Sequence, residues 1–143
     1  MSTPAIIRLA PGGQPLPLFA FRVPAGFPSP AQDHLEREIS LDEALDIRAP
    51  HTYLVRAAGD SMQGAGIFDG DLMVVDRSRE AEANDIVIAA LNSEPLVKRL
   101  TYEGNQIVLR SENPRYAPLW ILEGDELTIW GVVRFSVRCH IPL

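Results

Sequence analysis

The sequence predicts a mainly β protein: a compact antiparallel β domain, preceded by an extended, proline-rich N-terminal arm with short helices. Three observations carry that expectation. Eight of the twelve prolines fall in the first fifty residues; proline fixes φ and removes a backbone donor, so residues 1 to about 30 are poorly suited to a sheet interior. From Thr52 onward, short runs rich in valine, isoleucine and aromatics alternate with turn residues. The longest apolar run, Ile86 to Leu91, is far short of the roughly 20 residues that span a bilayer.

Taken in order, residues 1–44 read as the arm and residues 45–143 as the β domain. Within the arm, Ser29 followed by Pro30 and Gln32 resembles a helix start. Ser40, with Glu43 three residues on and Leu41, Ala44, Leu45 and Ile47 nearby, is a second capping-box candidate. Both helices are expected to be short. The strands expected are Tyr53 to Ala57, Asp71 to Asp76, Asp85 to Leu91, Leu96 to Tyr102, Gln106 to Arg110 and Leu127 to Val137. Asp69-Gly70-Asp71, Asn92-Ser93-Glu94 and Glu103-Gly104-Asn105 mark turns between them.

Composition narrows the function classes. With 143 residues, 46% hydrophobic and 22% charged, the chain reads as one soluble globular domain. A net charge of -6 argues against a broad phosphate-binding surface. The proline-rich arm does not supply the two packed helices of a DNA-reading head, so direct sequence-specific DNA binding is not expected. The single cysteine, Cys139, excludes an intrachain disulfide and fits a reducing cytoplasm. The N-terminus carries only Arg8 before Pro11, Gly12 and Gly13 break any apolar stretch, which speaks against a secretory signal and a membrane anchor.

Twelve of the thirteen basic residues are arginine and one is lysine, Lys98. Arginine stays protonated, whereas lysine can be tuned into a neutral base. In Leu96-Val97-Lys98-Arg99-Leu100 alternate side chains share a face. If Leu96 and Leu100 point into the core, Lys98 is withdrawn from water and desolvation disfavours its charged form. If Val97 and Arg99 define the inner face instead, Lys98 snorkels along an edge. Ser61, in Gly59-Asp60-Ser61-Met62 directly after a predicted strand, is the partner candidate. Glycine permits a sharp turn that exposes the hydroxyl, but a serine needs an adjacent base to become a nucleophile, and lysine can fill that role. Taken singly, the Gly-Asp-Ser triplet is a common turn.

Those residues, together with Gly66-Ile67-Phe68-Asp69-Gly70-Asp71-Leu72, Val74-Val75-Asp76, Asp85-Ile86-Val87-Ile88-Ala89 and Val97-Lys98-Arg99-Leu100, resemble the LexA/UmuD class of self-cleaving serine peptidases. The likeness runs upstream through Gly26-Phe27-Pro28-Ser29-Pro30-Ala31 and downstream to Gly131-Val132-Val133. A short arm in place of a DNA-binding head makes it strongest to the UmuD branch. The resemblance implies Ser61 as nucleophile, Lys98 as general base, the backbone N-H groups of Ser61 and Asp60 as oxyanion donors, and a scissile bond between Ala25 and Gly26. It further implies a cytoplasmic SOS-response homodimer whose cleavage is stimulated by the RecA filament on single-stranded DNA. The product would then serve a UmuC-like catalytic subunit of an error-prone translesion polymerase. The alanine at position 25 follows the LexA pattern rather than the cysteine common in the UmuD branch. The competing expectation is a non-catalytic regulatory binding module of the same fold.

No cofactor is expected. His34, His51 and His140 are scattered without metal-ligand spacing, and no motif supports a Ser-His-Asp triad through Ser61. Asp69, Asp71 and Asp76 are expected to shape the loop after Ser61 rather than hold a cation. Trp120, Ile121, Leu122, Ile129, Trp130 and Val132 read as core or dimer surface.

Overall fold

A computed structural model describes residues 7–8, 13–19, 35–47 and 50–141. In chain order the elements are β1 (Ile7–Arg8), β2 (Leu16–Phe19), β3 (Leu35–Ile39), α1 (Leu41–Ala44), β4 (Thr52–Arg56), a 3₁₀ turn (Gln63–Ala65), β5 (Leu72–Asp76), β6 (Ile86–Leu91), β7 (Glu94–Glu103), β8 (Gln106–Arg110), β9 (Leu119–Trp120) and β10 (Leu127–Val137). They fall into two compact units, Met1–Leu9 with Ala49–Leu143, and Ala10–Arg48.

The larger unit is one eight-stranded antiparallel sheet in the order β1-β4-β5-β10-β6-β7-β8-β9. The expected mainly β, antiparallel fold is therefore present, and each of the six predicted strands appears within a residue or two of its expected ends. β1, β2 and β3, in the region read as an arm, and the short β9 were not among them. Asn92 and Ser93 both take positive φ, 50° and 72°, which is the type I′ geometry that closes a two-residue hairpin between β6 and β7. Strand β10 carries two register shifts as it passes from β6 to β5. At that crossing Gly131 is obligatory, because a Cβ there would lie 2.6 Å from Val75 Cγ1 and 3.0 Å from the Asp76 carbonyl oxygen.

Strand β6 is buried on both faces, and alternation assigns its residues to two cores. Ile88 joins Tyr53, Val55, Ala57, Met62, Ile67, Met73 and Val75. Val87 and Ala89 join Leu100, Leu109 and Val132 on the other side. Leu96 packs against this second cluster and Val97 against the first, so both faces of β7 meet apolar neighbours. Val132 belongs to the core, whereas Trp120 and Leu122 are exposed.

In the smaller unit β2 and β3 pair as a two-stranded antiparallel ribbon, with Pro17 opposite Glu38. Proline is tolerated because both strands are edges. Helix α1 begins where the Ser40 pattern placed it, with Ser40 Oγ accepting from the Glu43 N-H at 3.1 Å. The helix start read at Ser29, Pro30 and Gln32 lies outside the described residues. No helix among the described residues is long and apolar enough to cross a membrane.

Candidate active site

Ser61 lies on the loop joining β4 to β5, and its position is fixed by its neighbours. Met62 is 2% exposed and packs into the first core, which pins the chain one residue past the hydroxyl. The loop's two ends are stapled by Ala57 N to Asp71 O and Gly70 N to Ala57 O, both 2.8 Å. Gly59, at φ 83°, donates its N-H to Asp69 Oδ1 at 2.8 Å. Asp71 accepts from the Phe68 N-H at 2.8 Å and from Arg138 Nε at 3.1 Å. The Arg138 guanidinium also stacks 3.8 Å from the Phe68 ring centroid and holds the Asp71 carboxyl below the usual carboxylate range. Asp76 accepts from the Ser78 N-H and hydroxyl. Asp69 and Asp71 thus shape the loop around Ser61, as expected, whereas Asp76 acts on the turn after β5.

Lys98 sits mid-strand in β7, opposite Val87 of β6. With Leu96 and Leu100 on its face directed to the second core, its amine is half-buried, and desolvation lowers its pKa below the ordinary lysine value. Of the two orientations left open by the sequence, alternate residues of this strand serve both cores, and the lysine shares the leucines' face. Its amine donates to Ser111 Oγ at 2.9 Å and stands 5.6 Å from the Tyr116 ring centroid. The hydrogen bond is to Ser111 rather than to Ser61.

What ties the two regions together is the segment after β8. Tyr116 donates its hydroxyl to Asp60 Oδ1, and that bond raises the phenol's pKa. Asn113 Nδ2 donates to the Asp60 carbonyl at 2.9 Å, and Gly64 N donates to the Glu112 carbonyl at 2.7 Å. Arg115 Nη1 stands 3.5 Å from Asp60 Oδ2, and Glu112 pairs with Arg99. Residues 111–116 therefore touch the lysine at one end and the residue preceding Ser61 at the other. Ser111, Asn113 and Tyr116 were not singled out from the sequence. Their signal was the register of the β7–β8 hairpin: Arg99 opposite Arg110 puts Ser111 across from Lys98.

An apolar cleft of about 190 Å³ opens beside this region, lined by Val55, Ala57, Ala58, Leu96, Val97 and Trp130 among others. Ala25 and Gly26, the expected cleavage site, lie outside the described residues, as does His34. His51, Cys139 and His140 are exposed, and among the described residues no group of three or more His, Cys, Asp or Glu side chains is placed to hold a metal ion.

A serine on an irregular loop and a desolvated lysine on a strand are the residue types that serine-lysine chemistry draws on. The chain belongs to the Peptidase S24-like family, whose model matches residues 17–134. The likeness to the LexA/UmuD class read from its motifs thus holds. Among its relatives it is 44% identical over 132 residues to Protein SamA of Salmonella typhimurium, covering 90% of this chain and 91% of that protein. It is 42% identical over 123 residues to Protein ImpA of Salmonella typhimurium, covering 85% and 83%. The LexA repressor of Bordetella avium is 42% identical over 125 residues, 87% of this chain but 58% of the repressor, so the chain spans little more than half of that relative.

Proposed function

We propose that this protein is a UmuD-like peptidase that cleaves its own chain between Ala25 and Gly26, with Ser61 as nucleophile and Lys98 as general base. The observation that carries the proposal is the sequence's one lysine, half-buried on β7 with its pKa lowered by desolvation, next to a segment that also grips Asp60. Desolvation raises the share of that amine in the neutral form, the form that can take a proton, whereas an ordinary lysine is almost wholly charged near neutral pH.

In the reaction, the Lys98 lone pair takes the Ser61 hydroxyl proton as Oγ bonds to the Ala25 carbonyl carbon. The Ser61 and Asp60 N-H groups receive the resulting oxyanion. The Ala25–Gly26 C-N bond then breaks, the ammonium returns its proton to the departing Gly26 nitrogen, and water hydrolyses the Ser61 ester. The arm, residues 1–44, supplies the bond, and the β domain, residues 45–143, supplies the chemistry. Small side chains at Ala25 and Gly26 permit close approach, and the apolar cleft suits the aliphatic residues that precede them. The substrate is tethered, so the effective concentration is high and control falls to geometry and to the charge on Lys98.

The same reading assigns a cytoplasmic homodimer, stimulation by a RecA filament on single-stranded DNA, and service to a UmuC-like polymerase subunit after cleavage. Near full-length similarity to SamA and ImpA supports it. One fact favours a second reading, a non-catalytic binding module of the same fold: Lys98 is bonded to Ser111, not to Ser61. Incubation of the purified chain across pH 7 to 10, with mass spectrometry of the products, decides between them. The peptidase yields a fragment beginning at Gly26, faster as pH rises, and Ser61→Ala or Lys98→Ala slows its release by at least about 100-fold while leaving the fold intact. No such fragment, even with activated RecA present, leaves the binding module.

A further inference from the structure

Lys98 Nζ has one hydrogen-bond partner among the described residues, Ser111 Oγ, at 2.9 Å. That contact follows from the hairpin: β7 and β8 pair Arg99 with Arg110 and Leu100 with Leu109, so the next step outward sets Ser111 opposite Lys98. A neutral amine has two N-H donors and one lone pair. Committing one N-H to a fixed acceptor orients the head group and leaves the lone pair free for a second hydroxyl. The same acceptor serves the ammonium that forms once the proton is taken. Ser111 is itself held in register by β8 and continued by a segment locked onto Asp60 through Asn113 and Tyr116.

We propose that Ser111 is a positioning residue for Lys98, its hydroxyl orienting the amine toward Ser61 and setting the pH at which that amine becomes a base. The role rests on the peptidase assignment above, but the contact itself does not. The charged and titratable groups around the amine are Tyr116, over whose ring it stands, Asp60 and Arg115 beyond that ring, and the Arg99–Glu112 pair on the adjoining residues; β6 contributes Val87 opposite it. Burial, not one of these charges, is what lowers the lysine's pKa, so removing the acceptor acts on the amine without a competing ion pair.

Because Lys98 is the sequence's one lysine, lysine labelled with carbon-13 at Cε gives a single NMR signal that titrates with it. The comparison is made in full-length chains carrying Ser61→Ala, so that alkaline pH does not cut them. Ser111→Ala is expected to lower the titration midpoint by about half a unit to one unit, the effect of losing one hydrogen bond to the charged form. Ser111→Thr, which keeps the hydroxyl, restores it. A merely structural lesion moves the signal the other way, because loosening hydrates the amine and returns its pKa toward the ordinary lysine value near 10.4. An unchanged or raised midpoint in Ser111→Ala, or an equal fall in Ser111→Thr, overturns the proposal. With Ser61 intact, Ser111→Ala is expected to lower the plateau rate of Gly26 fragment release about tenfold, and a rate equal to that of the unsubstituted chain overturns the catalytic part. If the unsubstituted chain releases no fragment, the peptidase assignment fails, while the titration still decides whether Ser111 governs the amine.

Discussion

Ser61 stands on an irregular loop and Lys98 on a regular strand, and the two segments are held by different physics. Residues 57–71 depend on single groups, each with one partner: Gly59 N-H on Asp69, Phe68 N-H on Asp71, Gly64 N-H on the Glu112 carbonyl. The strand is held by ladders to β6 and β8 along its length, so the position of Lys98 is shared among many backbone bonds. A side chain placed by a loop, as Ser61 is, is therefore sensitive to local changes that one placed by a strand, as Lys98 is, absorbs. What the strand does not buffer is the hydration of the amine, which depends on side-chain cover.

Gly64→Ala tests this difference most severely. A Cβ at residue 64 would meet the Glu112 carbonyl oxygen at 2.6 Å and its carbon at 3.3 Å, and both are backbone atoms with little room to retreat. The expected cost is about 1–3 kcal/mol, with cleavage lost as the loop parts from residues 111–116. Arg99→Ala, on the strand beside Lys98, removes a partly exposed ion pair and is expected to cost under about 1 kcal/mol. Chemical denaturation of both variants measures the gap, and equal costs would erase the distinction between loop and strand.

Asp71→Asn comes next. Its carboxylate is 2% exposed and binds the Phe68 N-H and Arg138 together, so losing the charge costs about 2 kcal/mol at neutral pH. Because the folded pKa lies below the unfolded value near 3.9, this contribution is present above that value and is lost as pH falls through the folded one. Thermal melts of the two chains should therefore differ at pH 7 and converge in acid. A constant gap would mean that the carboxylate's charge is not what fixes the loop.

The sequence made the regular parts legible and left the irregular ones dark, for a physical reason. Alternation and turn residues located six strands, and the Ser40–Glu43 spacing located α1, because those signals are local. Lys98 was visible as the sequence's one lysine, but whether the flanking Leu96 and Leu100 point inward was settled only by the two cores. Ser111, Asn113 and Tyr116 were not, because their roles depend on hairpin register and on contacts between residues more than 50 positions apart, such as Asn113 with Asp60. The Glu103-Gly104-Asn105 turn contained the register, but only if extended past the strand end to residue 111. The short β9 was missed because two exposed residues, Leu119 and Trp120, show no periodicity.

Lys98→Met carries the comparison to its smallest expected effect and reverses its sign. In the fold the ammonium is disfavoured by burial, whereas in the unfolded chain it is hydrated. The unfolded state therefore holds its proton to higher pH, and stability rises with pH between the lowered folded value and the ordinary value near 10.4. Below that window the lysine burdens the fold; above it, both states are neutral and the burden is gone. Methionine fills similar space without a charge, so in a Ser61→Ala background Lys98→Met should raise Tm at pH 7. The rise should be about 2 °C at most, because the amine is only half-buried and solvent screens it, and the advantage should fade above about pH 10. Under the proposed function, loop groups serve stability and cleavage alike, whereas the strand's amine serves cleavage alone. A fall in Tm at pH 7 would show instead that the bond to Ser111 outweighs the desolvation of Lys98, making the lysine a structural residue.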